Sequence, residues 1–187
     1  MNSETLISFF LAAMFLFFLS GCDTKQEDAP QDISASGEQI EEPAVRSIIQ
    51  KSVPDYSFTT MEGESLNISD YEGQVVLLNF WATWCAPCIR EIPELVSLKE
   101  KYEEEGFEII GISLDEEGFT VVKSFFEQYN FKINYPIVHD DFTYAEMTGG
   151  IFAYPTTYII DRNGAVVSRR IGEVTLEELE PEIIKIL

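Results

Sequence analysis

Val75-Val76-Leu77-Leu78-Asn79-Phe80-Trp81 runs straight into Ala82-Thr83-Trp84-Cys85-Ala86-Pro87-Cys88, and residues Ile89 to Glu105 follow with helical spacing. The first run is apolar at nearly every position, which suits a strand buried on both faces of a parallel sheet. Gly106 stands where a helix over Ala86–Glu105 would end, in the left-handed position that glycine fills most readily. Two of the three cysteines therefore sit at a strand-to-helix junction, with two residues between them.

That location gives the pair its chemistry. Unpaired backbone N–H groups and the positive end of the helix dipole favour a thiolate at Cys85. Pro87 is compatible with the first turn, where its missing N–H would have had no intrahelical partner. A disulfide across so short a loop adds little stability by loop closure, so the pair reads as a reactive site rather than a staple. Cys85 is the expected attacking sulfur and Cys88 the resolving one. Resolution needs the Cys88 proton removed, and Glu91, three residues on, shares its helical face. Glu91 is the expected acid–base partner, with a pKa raised by partial burial; a solvated acid favoured by the helix dipole is the alternative from spacing alone. A structural zinc site would need two further ligands. There is no second cysteine pair and His139 is the only histidine, so no metal is expected.

Outward from this centre, Ser57–Thr60 and Ser65–Ile68 read as two short strands around the turn Glu62-Gly63-Glu64. Asp70-Tyr71-Glu72-Gly73 is a second turn. Downstream, Phe107–Ser113 reads as another buried strand, and Phe119–Tyr129 as a helix with Val121, Val122, Phe125, Phe126 and Tyr129 on its apolar face. Pro136–His139 reads as a strand edge, with His139 at the surface, and Tyr144–Met147 as a helical turn. Thr156–Asp161 and Ala165–Ile171 read as strands joined by Asp161-Arg162-Asn163-Gly164. Leu176–Leu187 closes the chain as an amphipathic helix capped by Thr175 with Glu178. A β-α-β crossover makes its strands parallel, whereas the late hairpin is antiparallel. The expected fold is α/β: a mixed central sheet flanked by helices, thioredoxin-like, with an N-terminal β-hairpin extension.

Upstream of this domain the composition changes. Leu6–Leu19 is an apolar run of 14 residues, short for a membrane span and right for the hydrophobic region of a secretory signal. Leu19-Ser20-Gly21-Cys22 resembles the bacterial lipobox, which implies cleavage before Cys22 and a lipid on its sulfur. The first five residues depart from the usual signal pattern, with Glu4 and no Lys or Arg. Asp23–Ala44 holds seven acidic residues, one Lys, two prolines and no aromatic residue. Such a segment cannot bury enough apolar surface to order itself. Its 22 residues reach roughly 25 Å as a flexible coil. The expected division is a lipoprotein signal peptide over 1–21, an acidic tether over 22–51, and a thioredoxin-like domain over 52–187. That places the domain outside the cytoplasm, held to a membrane. With 33 acids against 12 Lys plus Arg, for a formal charge of −21, nucleic acid is not expected as a partner, since phosphate binding needs clustered cations.

The stretch Val75–Cys88, followed by Glu91 and Pro93, resembles the TlpA/ResA-type thioredoxin-like proteins, membrane-anchored thiol–disulfide oxidoreductases of the extracytoplasmic space. Pro54-Asp55-Tyr56-Ser57-Phe58, Gly63, Asp70-Tyr71-Glu72-Gly73, Tyr154-Pro155-Thr156-Thr157-Tyr158-Ile159-Ile160-Asp161 and Gly164 extend the resemblance in the same order. It implies that Pro155 is a cis-proline facing the cysteines and positioning substrate, that Trp84 shields the disulfide, that Tyr154 influences substrate choice, and that Pro93 kinks the first helix. Asn79 stands where thioredoxin has a buried Asp, and the family carries instead the Glu found here at 91. The implied partners are protein thiols and disulfides, apocytochrome c among them, with a membrane electron donor to recycle the thiols. No cofactor beyond the Cys85–Cys88 disulfide is implied. Two other functions share the fold. A peroxiredoxin-like peroxidase is disfavoured by Trp84 directly before Cys85 in a C-x-x-C. A copper-binding assembly factor is disfavoured by the tighter cysteine spacing.

Overall fold

A computed structural model of the chain describes residues 52–187. The expected signal peptide, the lipid attachment at Cys22 and the acidic tether lie outside the described residues. The order of elements is β1 (Ser57–Thr59), β2 (Ser65–Asn67), β3 (Val75–Trp81), α1 (Ala86–Tyr102), β4 (Phe107–Ser113), α2 (Phe119–Tyr129), β5 (Ile137–His139), α3 (Thr143–Met147), β6 (Thr156–Ile160), β7 (Val166–Ile171) and α4 (Leu176–Ile184). Five strands form one sheet in the order β5-β4-β3-β6-β7, and β1 and β2 form a separate hairpin. β3 pairs in parallel with β4, and β4 with β5; β6 runs antiparallel to both β3 and β7. The mixed α/β fold expected from the sequence is the fold observed.

The pleat of β3 sorts its side chains between two cores. Val75, Leu77 and Trp81 join the cluster with Ile92, Leu95 and Leu98 of α1, Phe125 and Phe126 of α2, and Leu179 and Ile183 of α4. Val76, Leu78 and Phe80 point the other way, against Phe58, Leu66, Tyr144 and Tyr158. That second face is covered by the hairpin and the five-residue α3. Trp81 is 3% exposed and lies against Phe125 and Phe126, which makes it a core residue. Full burial of all seven β3 residues fixes the register of the central strand, since a slip by one would exchange the two faces.

Helix ends differ from the sequence reading by a turn. α1 stops at Tyr102, and Glu103–Glu105 tightens into a 3-10 turn before Gly106 at φ +80°. Three acids at the negative end of the helix dipole favour that early stop. α4 ends at Ile184 rather than at the last residue, while its start is as expected: Thr175 accepts from the Glu178 amide and Glu178 accepts from the Thr175 amide. α1 continues as one helix through Pro93. At the far edge, the Met61 amide donates to the Ile137 carbonyl at 2.8 Å and Thr60 bridges Val138, so the hairpin extension is fastened to β5. Among the described residues no helix is long and apolar enough to cross a membrane.

Candidate active site

The loop after β3 carries Cys85 to the mouth of α1. Cys85 is the N-cap, with extended backbone, and its sulfur accepts from the Cys88 amide at 3.2 Å. The two cysteines form a disulfide, their Cα atoms 5.2 Å apart. Cys85 is 5% exposed and Cys88 only 1%, which suits an attacking and a resolving sulfur respectively. Pro87 sits in the first turn of α1, where a missing N–H costs nothing.

Glu91 is fully buried, at 0% exposure, and the alternative of a solvated first-turn acid is excluded. Asn79 comes from the same face of β3 as Leu77 and Trp81, and its Nδ2 donates to Glu91 Oε1 at 2.8 Å and to Thr157 Oγ1 at 3.2 Å. From the loop between β7 and α4, the Val174 amide donates to Glu91 Oε2 at 3.2 Å. Burial pushes the Glu91 carboxyl from its ordinary 4.5 up to about 7; the Asn79 and Val174 bonds pull it down, and the nearby Glu173 charge adds to the rise. A carboxyl poised there can take or give a proton near neutrality. Tyr135 lies close by in the same core, its phenol raised by burial and by the charge of Glu91.

The residues expected to meet substrate differ in exposure: Trp84 is exposed, Tyr154 half-buried and Pro155 buried. The Tyr154–Pro155 peptide is cis. Trp84 is 67% exposed and meets the Tyr154 ring edge-on, with centroids 5.3 Å apart. Trp84 therefore stands out from the surface against Tyr154. Burial, with the Asp115 charge second, holds the Tyr154 phenol above its ordinary range. His139 ends the edge strand β5, packs against Phe119 and has Nε2 2.8 Å from the Asp115 carbonyl oxygen. Among the described residues no group of three or more His, Cys, Asp or Glu is placed to hold a metal ion.

The structure puts Cys85 at the N-cap of α1 and Cys88 and Glu91 within that helix; Trp84 and Tyr154 meet each other beside it, and Pro155 is buried immediately before β6. Reading the sequence missed the donors around Glu91, since Val174 is 83 residues away. It also missed Asp115, whose signal was an acid two residues beyond the end of an apolar strand.

The AhpC/TSA family model matches residues 49–169. The thiol-disulfide oxidoreductase ResA of Bacillus cereus is 41% identical over 138 residues, 74% of this chain and 78% of that protein. Among solved structures, a thiol:disulfide interchange protein of the thioredoxin family from Chlorobium tepidum superposes with a TM-score of 0.65 at 26% identity, over 73% of this chain and 96% of that one. StoA from Bacillus subtilis gives 0.59 at 26% identity, over 69% and 96%.

Proposed function

The chain belongs to the AhpC/TSA family, and on that footing we propose that it is an extracytoplasmic thiol–disulfide oxidoreductase that reduces protein disulfides through Cys85 and Cys88. The observation that carries this is the junction itself: a disulfide capping a helix, with a buried, hydrogen-bonded carboxyl three residues further on.

In the reduced protein, the Cys85 thiolate attacks one sulfur of a substrate disulfide and expels the other as a thiolate, leaving a mixed disulfide. Glu91 accepts the Cys88 proton as Cys88 attacks the Cys85 sulfur. That breaks the mixed bond, releases the second substrate thiolate and forms the Cys85–Cys88 disulfide. Two electrons pass to the substrate, and a membrane electron donor supplies two more to reduce the Cys85–Cys88 disulfide again. Backbone at cis-Pro155 and the aromatic pair Trp84 and Tyr154 align an extended substrate segment across the sulfurs. The lipobox-like Leu19–Cys22 and the acidic tether support anchoring of this domain to a membrane by a lipid on Cys22. Haem-binding cysteines of apocytochrome c are the substrate class that the TlpA/ResA-type motifs support.

A disulfide-bonded C-x-x-C-H peptide and a scrambled disulfide control test the substrate. Faster reduction of the first supports cytochrome maturation, and equal rates point to a general reductant. No exchange with either peptide removes the oxidoreductase reading.

A further inference from the structure

The parallel ladder between β3 and β4 ends at Trp81 and Ser113, and one more rung follows, the Leu114 amide donating to the Trp81 carbonyl at 3.0 Å. Beyond it the chain leaves the sheet to reach Cys85. The next amide, that of Thr83, is held by a side chain instead of a strand. Both oxygens of Asp115 accept from it, at 3.2 and 3.0 Å, and Oδ1 also accepts from the Thr83 hydroxyl at 2.7 Å. Asp115 is 1% exposed. It is fixed from behind, with Ser113 Oγ donating to Oδ2 at 2.9 Å and accepting from the Asp115 amide at 3.2 Å. His139 Nε2 lies 2.8 Å from its carbonyl oxygen. Burying a carboxyl is costly unless its lone pairs are filled. Here most of the filling comes from one residue of the turn that carries Trp84 and Cys85.

We propose that Asp115 is a positioning residue for the dithiol couple: it holds the Thr83–Cys85 turn in its exchange-competent shape, and its charge behind that turn makes the couple more reducing. The proposal rests on the thiol–disulfide exchange reading above. A negative charge in a poorly solvated site opposes a second one on Cys85. The disulfide bears no charge, so Asp115 favours the oxidised form of this protein. The Asp115 charge also acts on the Tyr154 phenol, and the His139 ring meets the Asp115 backbone carbonyl rather than its carboxyl oxygens.

The full-length wild type, Asp115→Asn, Asp115→Glu and Thr83→Val are equilibrated with glutathione redox buffers at pH 7, and the rate of reduction of a disulfide-bonded peptide is measured for each. Asp115→Asn should shift the equilibrium about tenfold toward the dithiol, equivalent to about 30 mV, with Asp115→Glu returning it most of the way. Thr83→Val keeps the charge but loses a donor, so it should leave the equilibrium within about threefold and slow exchange about tenfold. A wild-type equilibrium in folded Asp115→Asn overturns the proposal, as does a wild-type rate in Thr83→Val, which decides the matter if Asp115→Asn does not fold. A wild type that exchanges normally beside an unshifted Asp115→Asn sinks only the role of Asp115; a wild type that never exchanges sinks the oxidoreductase reading as well.

Discussion

Glu91→Gln, followed by urea unfolding of the oxidised protein between pH 4 and 9, isolates the energetics of the buried carboxyl. On folding, the Glu91 carboxyl rises from 4.5 to about 7 because burial disfavours its charge. The folded state therefore holds this proton more tightly than the unfolded state does. The contribution to stability is fully present below pH 4.5 and is lost as pH rises through 7. At about 1.4 kcal/mol per pH unit, the loss amounts to about 3 kcal/mol by pH 8. No discount for solvent screening applies, since the residue is wholly buried. Glutamine is neutral throughout, and its one carbonyl oxygen can replace only part of what Asn79 and Val174 now donate to, a pH-independent loss of about 1 kcal/mol. The variant should thus be about 1 kcal/mol less stable than wild type at pH 4 and about 2 kcal/mol more stable at pH 8. Titrating groups that do not interact with Glu91 are common to both proteins and cancel in the difference. A difference that stays flat across this range would refute the burial argument and leave Glu91 an ordinary carboxylate.

Replacing Cys88 by Ser should trap a mixed disulfide between Cys85 and a substrate peptide, visible as an added mass that reductant removes, while Cys85→Ser should trap none; adducts on both variants would reverse the assigned roles. Asn79→Ala removes a donor to the ionised form of Glu91, so the acidic limb of the pH–rate profile should move to higher pH by up to ~1 unit, and a shift to lower pH contradicts the assignment. Trp84→Ala should change stability by less than about 0.5 kcal/mol, because the side chain is mostly exposed. It should slow reduction of protein disulfides more than reduction of glutathione disulfide; equal slowing would mean that Trp84 acts on the sulfurs rather than on substrate.

Much of this site was legible because its parts are close in sequence. Cys85, Cys88 and Glu91 lie within two turns of one helix, and helical spacing alone puts Glu91 on the Cys88 face. What surrounds Glu91 was not legible, because it is assembled by tertiary contact. Alternation along β3 places Asn79 on the α1 side with Leu77 and Trp81, but only the antiparallel β3–β6 pairing sets Thr157 beside it, and only the packing of α1 on the sheet brings Glu91 within reach. The Val174 amide depends on where the β7–α4 loop crosses α1. Boundaries failed where two local preferences competed: helical spacing continues to Glu105, whereas three consecutive acids oppose the dipole and tighten the last turn. Thr175 and Glu178 carried no such conflict, and their reciprocal cap formed as the sequence implies.

The midpoint potential of the Cys85–Cys88 couple tests the central claim most directly. Equilibrating the chain across thiol–disulfide buffers and counting its free thiols should give a two-electron transition near that of thioredoxin, about −270 mV. Such a value makes the pair a reductant that must be recharged. A transition near −120 mV, the range of the strong oxidant DsbA, would reverse the direction of electron flow, and a disulfide that exchanges with no buffer would contradict the account altogether.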